Sequence, residues 1–255
     1  MRVFAVSDLH VDYKPNRQWV AGLSRQDYKD DILILAGDLS DSLDHIEECL
    51  TALALRFKRV LYIPGNHEMW ILRNSDLTNS IAKFMEVVRV AQRSGASTEC
   101  LRLHQLTIVP LLGWYDYSFG MPCPRLRDAW MDFRACRWPD HMNEADVTRF
   151  FAAMNERIRP PRAANIISFS HFLPRIDLID GYVPEQYRYL FPIMGADILE
   201  QQVREVGAAI HVYGHSHVNR RITLDGITYI NNAFGYPSEV AMTTKQLLCI
   251  YDATG

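Results

Sequence analysis

Residues Ile32 to Asp41 read Ile-Leu-Ile-Leu-Ala-Gly-Asp-Leu-Ser-Asp, a short apolar run that stops at Gly37 and delivers Asp38 at its end. Bounded by Gly and followed by polar residues, such a run predicts a buried parallel strand. Asp38 then falls at the carboxyl end of that strand, where open α/β sheets bind their ligands. Two flanking stretches have the same form: Arg2 to Ser7 leads into Asp8-Leu9-His10, and Arg59 to Pro64 leads into Gly65-Asn66-His67-Glu68. His10 to Asp38 and Asp38 to Asn66 are each 28 positions apart, about one strand-helix-strand unit. Equal spacing predicts three polar clusters on one rim of one sheet.

The 255 residues suffice for one well-buried α/β domain, and no linker or repeat interrupts them, so a single domain over 1–255 is expected. A net charge of -3 argues against a general electrostatic binder of nucleic acid, though a local basic groove stays open. The chain starts directly with a strand, which leaves no room for a signal peptide, and no apolar run approaches the roughly 18 residues of a membrane span. Cys49, Cys100, Cys123, Cys136 and Cys249 are odd in number and scattered, which fits a reducing, cytoplasmic setting. Cys123, Cys136 and His141 match no familiar zinc spacing.

In chain order, strand alternation predicts that Asp8 and His10 project to the same side, as a metal pair or as a turn Asp beside a hydrogen-bonded His. A helix is expected over Asn16 to Asp30. An unpaired carboxylate such as Asp38 at a buried strand end costs on the order of several kcal/mol, which a cation, or two sharing it, relieves. Asp41 is open between a cap for the helix Ser42 to Phe57 and a functional role. Asn66 is an uncommon but valid oxygen ligand, and His67 has the chemistry of a general acid. Ile81, Phe84, Met85 and Val88 give Leu77 to Arg93 the period of a packed helix. Past a strand over Leu106 to Trp114 comes an insert at about 115–160 in which Trp114, Tyr115, Tyr117, Phe119, Trp130, Phe133 and Trp138 interleave with Arg125, Arg127, Arg134 and Arg137. Either it covers the site, with Arg available for bidentate phosphate contact, or it packs on itself. Strand Asn165 to Ser170 ends in His171, and strand Ala208 to Tyr213 ends in Gly214-His215-Ser216-His217. His45, His104, His141 and His211 do not share this strand-end pattern. A hairpin through Asp225-Gly226 and a strand over Gln246 to Tyr251 follow.

The set D-x-H, G-D-x-x-D, G-N-H-E, a strand-end His and G-H-x-H, in that order from Asp8 to His217, resembles the calcineurin-like metallophosphoesterases. The resemblance implies an α/β fold, a four-layer α/β/β/α sandwich with two mixed sheets, holding two divalent metal ions at the strand ends. Carried over by position, Asp8, His10, Asp38 and His217 would hold one ion and Asp38, Asn66, His171 and His215 the other, with Asp38 bridging. It further implies hydrolysis of a phosphomonoester or phosphodiester by a metal-bridging hydroxide, with His67 as general acid supported by Asp41, and Asn66 and His67 touching the phosphate. Nitrogen and oxygen ligands favour Mn, Fe, Zn or Co. The expected partner is a small phosphate ester, nucleotides among the candidates. Asp41-Ser42-Leu43 and Pro64 stand where protein Ser/Thr phosphatases carry phosphate-gripping arginines, Ser40-Asp41 offers no purple-acid-phosphatase Tyr, and His67 replaces the Arg of the lipid A pathway pyrophosphatases. Two rival readings are a nuclease of the same superfamily, which wants a basic groove, and an inactive metal-binding scaffold, which would show a lost ligand block.

Overall fold

The computed structural model describes residues 1–73, 76–158 and 165–253. The strands are β1 (Arg2–Val6), β2 (Ile32–Ala36), β3 (Arg59–Ile63), β4 (Ala96–Ser97), β5 (Leu101–Arg102), β6 (Leu106–Pro110), β7 (Asn165–Phe169), β8 (Ile210–Tyr213), β9 (Arg220–Leu224), β10 (Ile227–Asn231) and β11 (Leu248–Asp252). The helices are α1 (Lys14–Gly22), α2 (Leu43–Ala54), α3 (Ser80–Arg93), α4 (Pro124–Ala129), α5 (Asp132–Ala135), α6 (Glu144–Asn155) and α7 (Asp197–Glu205).

Two mixed sheets form, in the orders β11-β1-β2-β3-β4 and β5-β6-β7-β8-β10-β9. β2 lies between β1 and β3, parallel to both, as its unbroken apolar run requires. Its side chains alternate between two cores. Ile32, Ile34 and Ala36 join Val3, Ala5, Leu61 and Ile63 against Ile108, Phe169, Val212 and Ile230 of the second sheet. Leu33 and Leu35 face Ile46, Leu50, Leu53, Val87 and Val90 of α2 and α3. A third core covers the outer face of the second sheet with Val147 and Phe151 of α6 and Leu199 and Val203 of α7. The result is four layers, α/β/β/α, with the apolar period of each strand setting which layer each residue joins.

Several element ends differ from the sequence expectations. α1 stops at Gly22 because Ser24 accepts from the N–H groups of Gln26 and Asp27, a local turn that competes with the helix. Ser42, not Asp41, caps α2 by accepting from His45 N. β6 ends at Pro110 since Asn155 takes both backbone groups of Leu112 through its amide. Trp114 and Tyr115 of the insert are buried in the core, and the part of the insert from 159 on lies outside the described residues. All five cysteines are free. Among the described residues no helix is long and apolar enough to cross a membrane.

Candidate active site

The motif residues gather where the two sheets present their strand ends side by side. β1, β2 and β3 deliver Asp8, His10, Asp38 and Asn66, while β7 and β8 deliver His171, His215 and His217. They do not project by strand alternation. Each strand has already ended, and Asp8, His10, Asp38, His215 and His217 all adopt left-handed backbone, with φ of 54°, 41°, 56°, 67° and 52°. Non-Gly residues take that region only at a cost that the surroundings must offset. Here the surroundings are tight. A Cβ at Gly65 would run into Asp38 Oδ1 and the His171 ring, and one at Gly37 into His171.

Glu68, the last residue of G-N-H-E, fixes the two central loops. Fully buried, its carboxylate accepts from Asp38 N (3.1 Å), Leu39 N (2.6 Å) and Gly65 N (2.7 Å). The Asp38 carboxylate is thereby held against the Asn66-His67 turn, where His67 N donates to Asp38 Oδ1 at 3.1 Å.

Three groups of ligand atoms converge within 4.8 Å: Asp8 with His10 and His217, Asp38 with His171 and His215, and His10 with Asp38 and His67. His10 Nε2 and His217 Nε2 lie 3.2 Å apart, and His171 Nε2 lies 3.1 Å from both His215 Nδ1 and Asn66 Oδ1. The outward ring nitrogens are engaged: His171 Nδ1 with Ala36 O, His215 Nε2 with Ile193 O and His217 Nδ1 with Glu239 Oε2. A ring nitrogen bonded to a carbonyl must donate, which turns the lone pair of the other nitrogen inward, the arrangement that ligating histidines use.

Electrostatics make the same point. Burial, then Glu68 and Asp8, push the Asp38 carboxyl well above its usual range. Burial opposes the charged form of His217, but Asp8 and Glu239 outweigh it and push the imidazole up to about 10. Burial, then His171 and His217, push His67 down to about 3. Buried carboxylates among inward lone pairs, with oxygen and nitrogen donors and no thiolate, fit a pair of divalent cations.

His67 is stacked on Trp70 at 3.8 Å, meets His10 edge-on at 4.7 Å and has Nε2 3.8 Å from Asp38 Oδ2. The structure does not bring Asp41 to it. Arg73 takes the Asp41 carboxylate at 3.2 Å and Asp12 at 3.1 Å, and Lys83 Nζ donates to Asp41 O, while the group packed directly on the imidazole is the indole of Trp70. Sequence reasoning missed Trp70, Asp132, Tyr236, which stacks on His10 at 4.3 Å, and Glu239. Glu68 was visible inside its motif; Glu239 carried no signal at all.

A cavity of about 670 Å³ opens directly from Asp38, Asn66, His67, His215 and His217. Its lining is mostly apolar, with Ile179, Val183, Leu190, Phe191, Met194 and Met242, and also holds Tyr182, Tyr187, Asn219 and Glu239. The insert contributes Trp130. Its arginines stand elsewhere: Arg125 lies on the Tyr189 ring and Arg127 over Phe133.

A family model described as calcineurin-like phosphoesterase matches residues 1–219. The acyl-carrier-protein phosphodiesterase PptH of Mycobacterium tuberculosis is 26% identical over 271 aligned positions, spanning 93% of this chain and 78% of that protein. The crystal structure of the phosphopantetheinyl hydrolase PptH from Mycobacterium tuberculosis superposes with a TM-score of 0.83 at 24% identity, covering 100% of this chain and 97% of that one.

Proposed function

Because the chain belongs to the calcineurin-like phosphoesterase family and is a hydrolase of phosphoric ester bonds, we propose that it is a two-ion phosphodiesterase whose substrate carries a long, mostly apolar arm, as a phosphopantetheinylated carrier protein does. The observation that carries this reading is the cavity. Its lining includes part of the ligand set together with Ile179, Leu190, Phe191 and Met242, far more room than a phosphate needs. A mostly apolar lining suits the methylenes of such an arm, and Tyr182, Tyr187 and Asn219 of the same lining offer hydrogen-bonding partners to its amides. The similarity to a relative named as an acyl-carrier-protein phosphodiesterase favours the same substrate class. A nuclease is disfavoured because the insert arginines do not line the cavity.

Asp8, His10 and His217 would hold one ion and Asn66, His171 and His215 the other, with Asp38 available to both. Mn, Fe, Zn or Co suit these donors. Bound there, two divalent ions supply Lewis acidity at the phosphoryl oxygens and a water acidic enough to attack at neutral pH. The chain does the rest. Asn66 steers the phosphoryl group, the apolar walls orient the arm so that its ester oxygen faces His67, and His67 delivers the proton that the leaving oxygen requires. The five free cysteines support a reducing, cytoplasmic setting.

The test is to incubate the manganese-loaded protein with a phosphopantetheinylated carrier protein and follow the carrier's intact mass, beside nucleotides, aryl phosphomonoesters and aryl phosphodiesters. Loss of the arm from the carrier, with diesters cleaved faster than monoesters, is expected. Turnover of monoesters or nucleotides with an untouched carrier would overturn the reading.

A further inference from the structure

We propose that Asp132, a buried carboxylate in the insert and outside every motif block, is the positioning residue that fixes Asn66 as an oxygen ligand for the second ion and ties the cavity wall to the base of His67. The proposal rests on the two-ion reading above.

Asp132 is 2% exposed and stands among aromatic rings. Its Oδ1 accepts from Asn66 Nδ2 at 2.9 Å and from Trp70 Nε1 at 2.7 Å, and its Oδ2 accepts from Trp130 Nε1 at 2.7 Å. Three N–H groups, two from the Asn66–Trp70 turn and one from the insert, thus converge on one side chain. A neutral residue cannot meet them: an amide offers one acceptor oxygen and would turn its own N–H groups toward donors, whereas a carboxylate accepts on both oxygens. An acid in apolar surroundings is unfavourable unless the donors around it require a charged acceptor.

Each donor leads to a working part of the site. An Asn amide has two ends of opposite polarity, and a cation tolerates only one. With Nδ2 held by Asp132, Oδ1 is turned to within 3.1 Å of His171 Nε2, toward the atoms of Asp38 and His215 that share the second ion. Without that bond the amide is free to flip and present N–H to the cation. Trp70 is the plate on which His67 lies, at 3.8 Å. Trp130 meets the His215 ring edge-on at 5.7 Å and lines the cavity next to Asn66 and His67. One carboxylate therefore sets the polarity of a ligand, the height of the proposed proton donor and one wall of the substrate cavity. This gives the aromatic insert a purpose that its arginines, remote from the cavity, do not.

Manganese titration calorimetry with elemental analysis separates this proposal from the reading beneath it. The wild-type protein is expected to bind two ions; binding of only one would overturn the two-ion reading and the proposal with it. D132N should bind the first ion as the wild type does and the second about 10- to 100-fold more weakly, the range typical for a lost partner behind a ligand. Two unchanged ions in D132N would overturn the proposal alone. The reversed pair, N66D with D132N, should regain the second ion, since a carboxylate then faces the cation and an amide at 132 donates to it; no regain would count against the proposal. A further measurement does not depend on any variant folding. In the ion-free wild-type protein with EDTA, the one Asn66 side-chain amide proton that Asp132 accepts should exchange slowly with solvent, and exchange of both protons at the rate of a free amide would overturn the assignment.

Discussion

His67 lies between two rings, Trp70 and His10, with its Nε2 turned to Asp38. Burial first, then His171 and His217, hold the imidazole down to about 3, which favours its uncharged form. A phosphodiester carries no proton of its own at neutral pH, so a proton passed by His67 to the leaving oxygen would have to be drawn from solvent. General acid catalysis contributes about 10²- to 10⁴-fold and matters most for basic leaving groups. His67→Asn should keep both ions by elemental analysis, lose about that factor on an alkyl phosphodiester, and lose much less on a nitrophenyl ester, whose leaving group is stable as the anion. Equal losses on both esters would end the proton-donor role, and loss of an ion would move His67 into the ligand set, where its approach to His10 and Asp38 already brings it close. Asp41→Asn should leave the ratio between the two esters unchanged, since the Asp41 carboxylate is engaged by Arg73.

At the level of elements, what the sequence made legible was the strands and what each carries at its end. Apolar runs such as Ile32 to Ala36 are long enough, and Gly37 and Gly65 abrupt enough, to mark both the core and the rim. The local conformation beyond the rim was not legible. Alternation placed Asp8 and His10 on one side of a strand, whereas the backbone leaves the sheet at Val6 and turns left-handed at both residues, a state that Asp and His only occasionally enter. Partners distant in sequence were equally silent, because nothing near Glu239 or Asp132 marks what folds against it. His211, set apart from the strand-end histidines, is a case where position in an element predicts behaviour. It lies in β8, fully buried, with Nδ1 2.8 Å from Ser168 Oγ on β7 and Nε2 3.0 Å from Ser170 Oγ just past that strand, and burial pushes it down to about 3. The unfolded chain takes up this proton near pH 6.5 and the folded one does not, so the stability it confers is full above 6.5 and is lost as pH falls toward 3. Between pH 7.5 and 4.5 the loss is about 3 kcal/mol. His211→Gln should flatten the pH dependence of the urea midpoint in EDTA by that order; an unchanged slope would show that His211 does not titrate in this window.

At the level of the molecule, the site is a seam. The first sheet supplies Asp8, His10, Asp38 and Asn66, and the second supplies His171, His215 and His217, so any ion held by both sets would tie the layers to each other across the core. The seam is closed by residues beyond the family match at 1–219: Glu239 holds His217, Tyr236 backs His10, and Lys245 Nζ gathers the carbonyls of Phe234, Gly235 and Tyr236. Glu239→Ala should weaken the ion on His217 by about 10-fold or more and spare the other in calorimetry, the mirror image of D132N; equal weakening of both would mean that Glu239 acts on the fold and not on His217.

This closure also orders events during synthesis. Ser7 N donates to Asn232 O, Phe234 N donates to Ser7 O, and Gly235 N donates to Asp8 O, while β1 pairs with β11. A nascent chain carries all seven ligand side chains once His217 has been added, yet the backbone around Asp8 has no partner until Gly235 follows, and β1 remains an open sheet edge until β11 leaves the ribosome. The backbone frame around Asp8 is therefore completed only by a segment made after every motif residue, so a chain cut short between His217 and Gly235 would carry the whole motif set without the contacts that shape its first member.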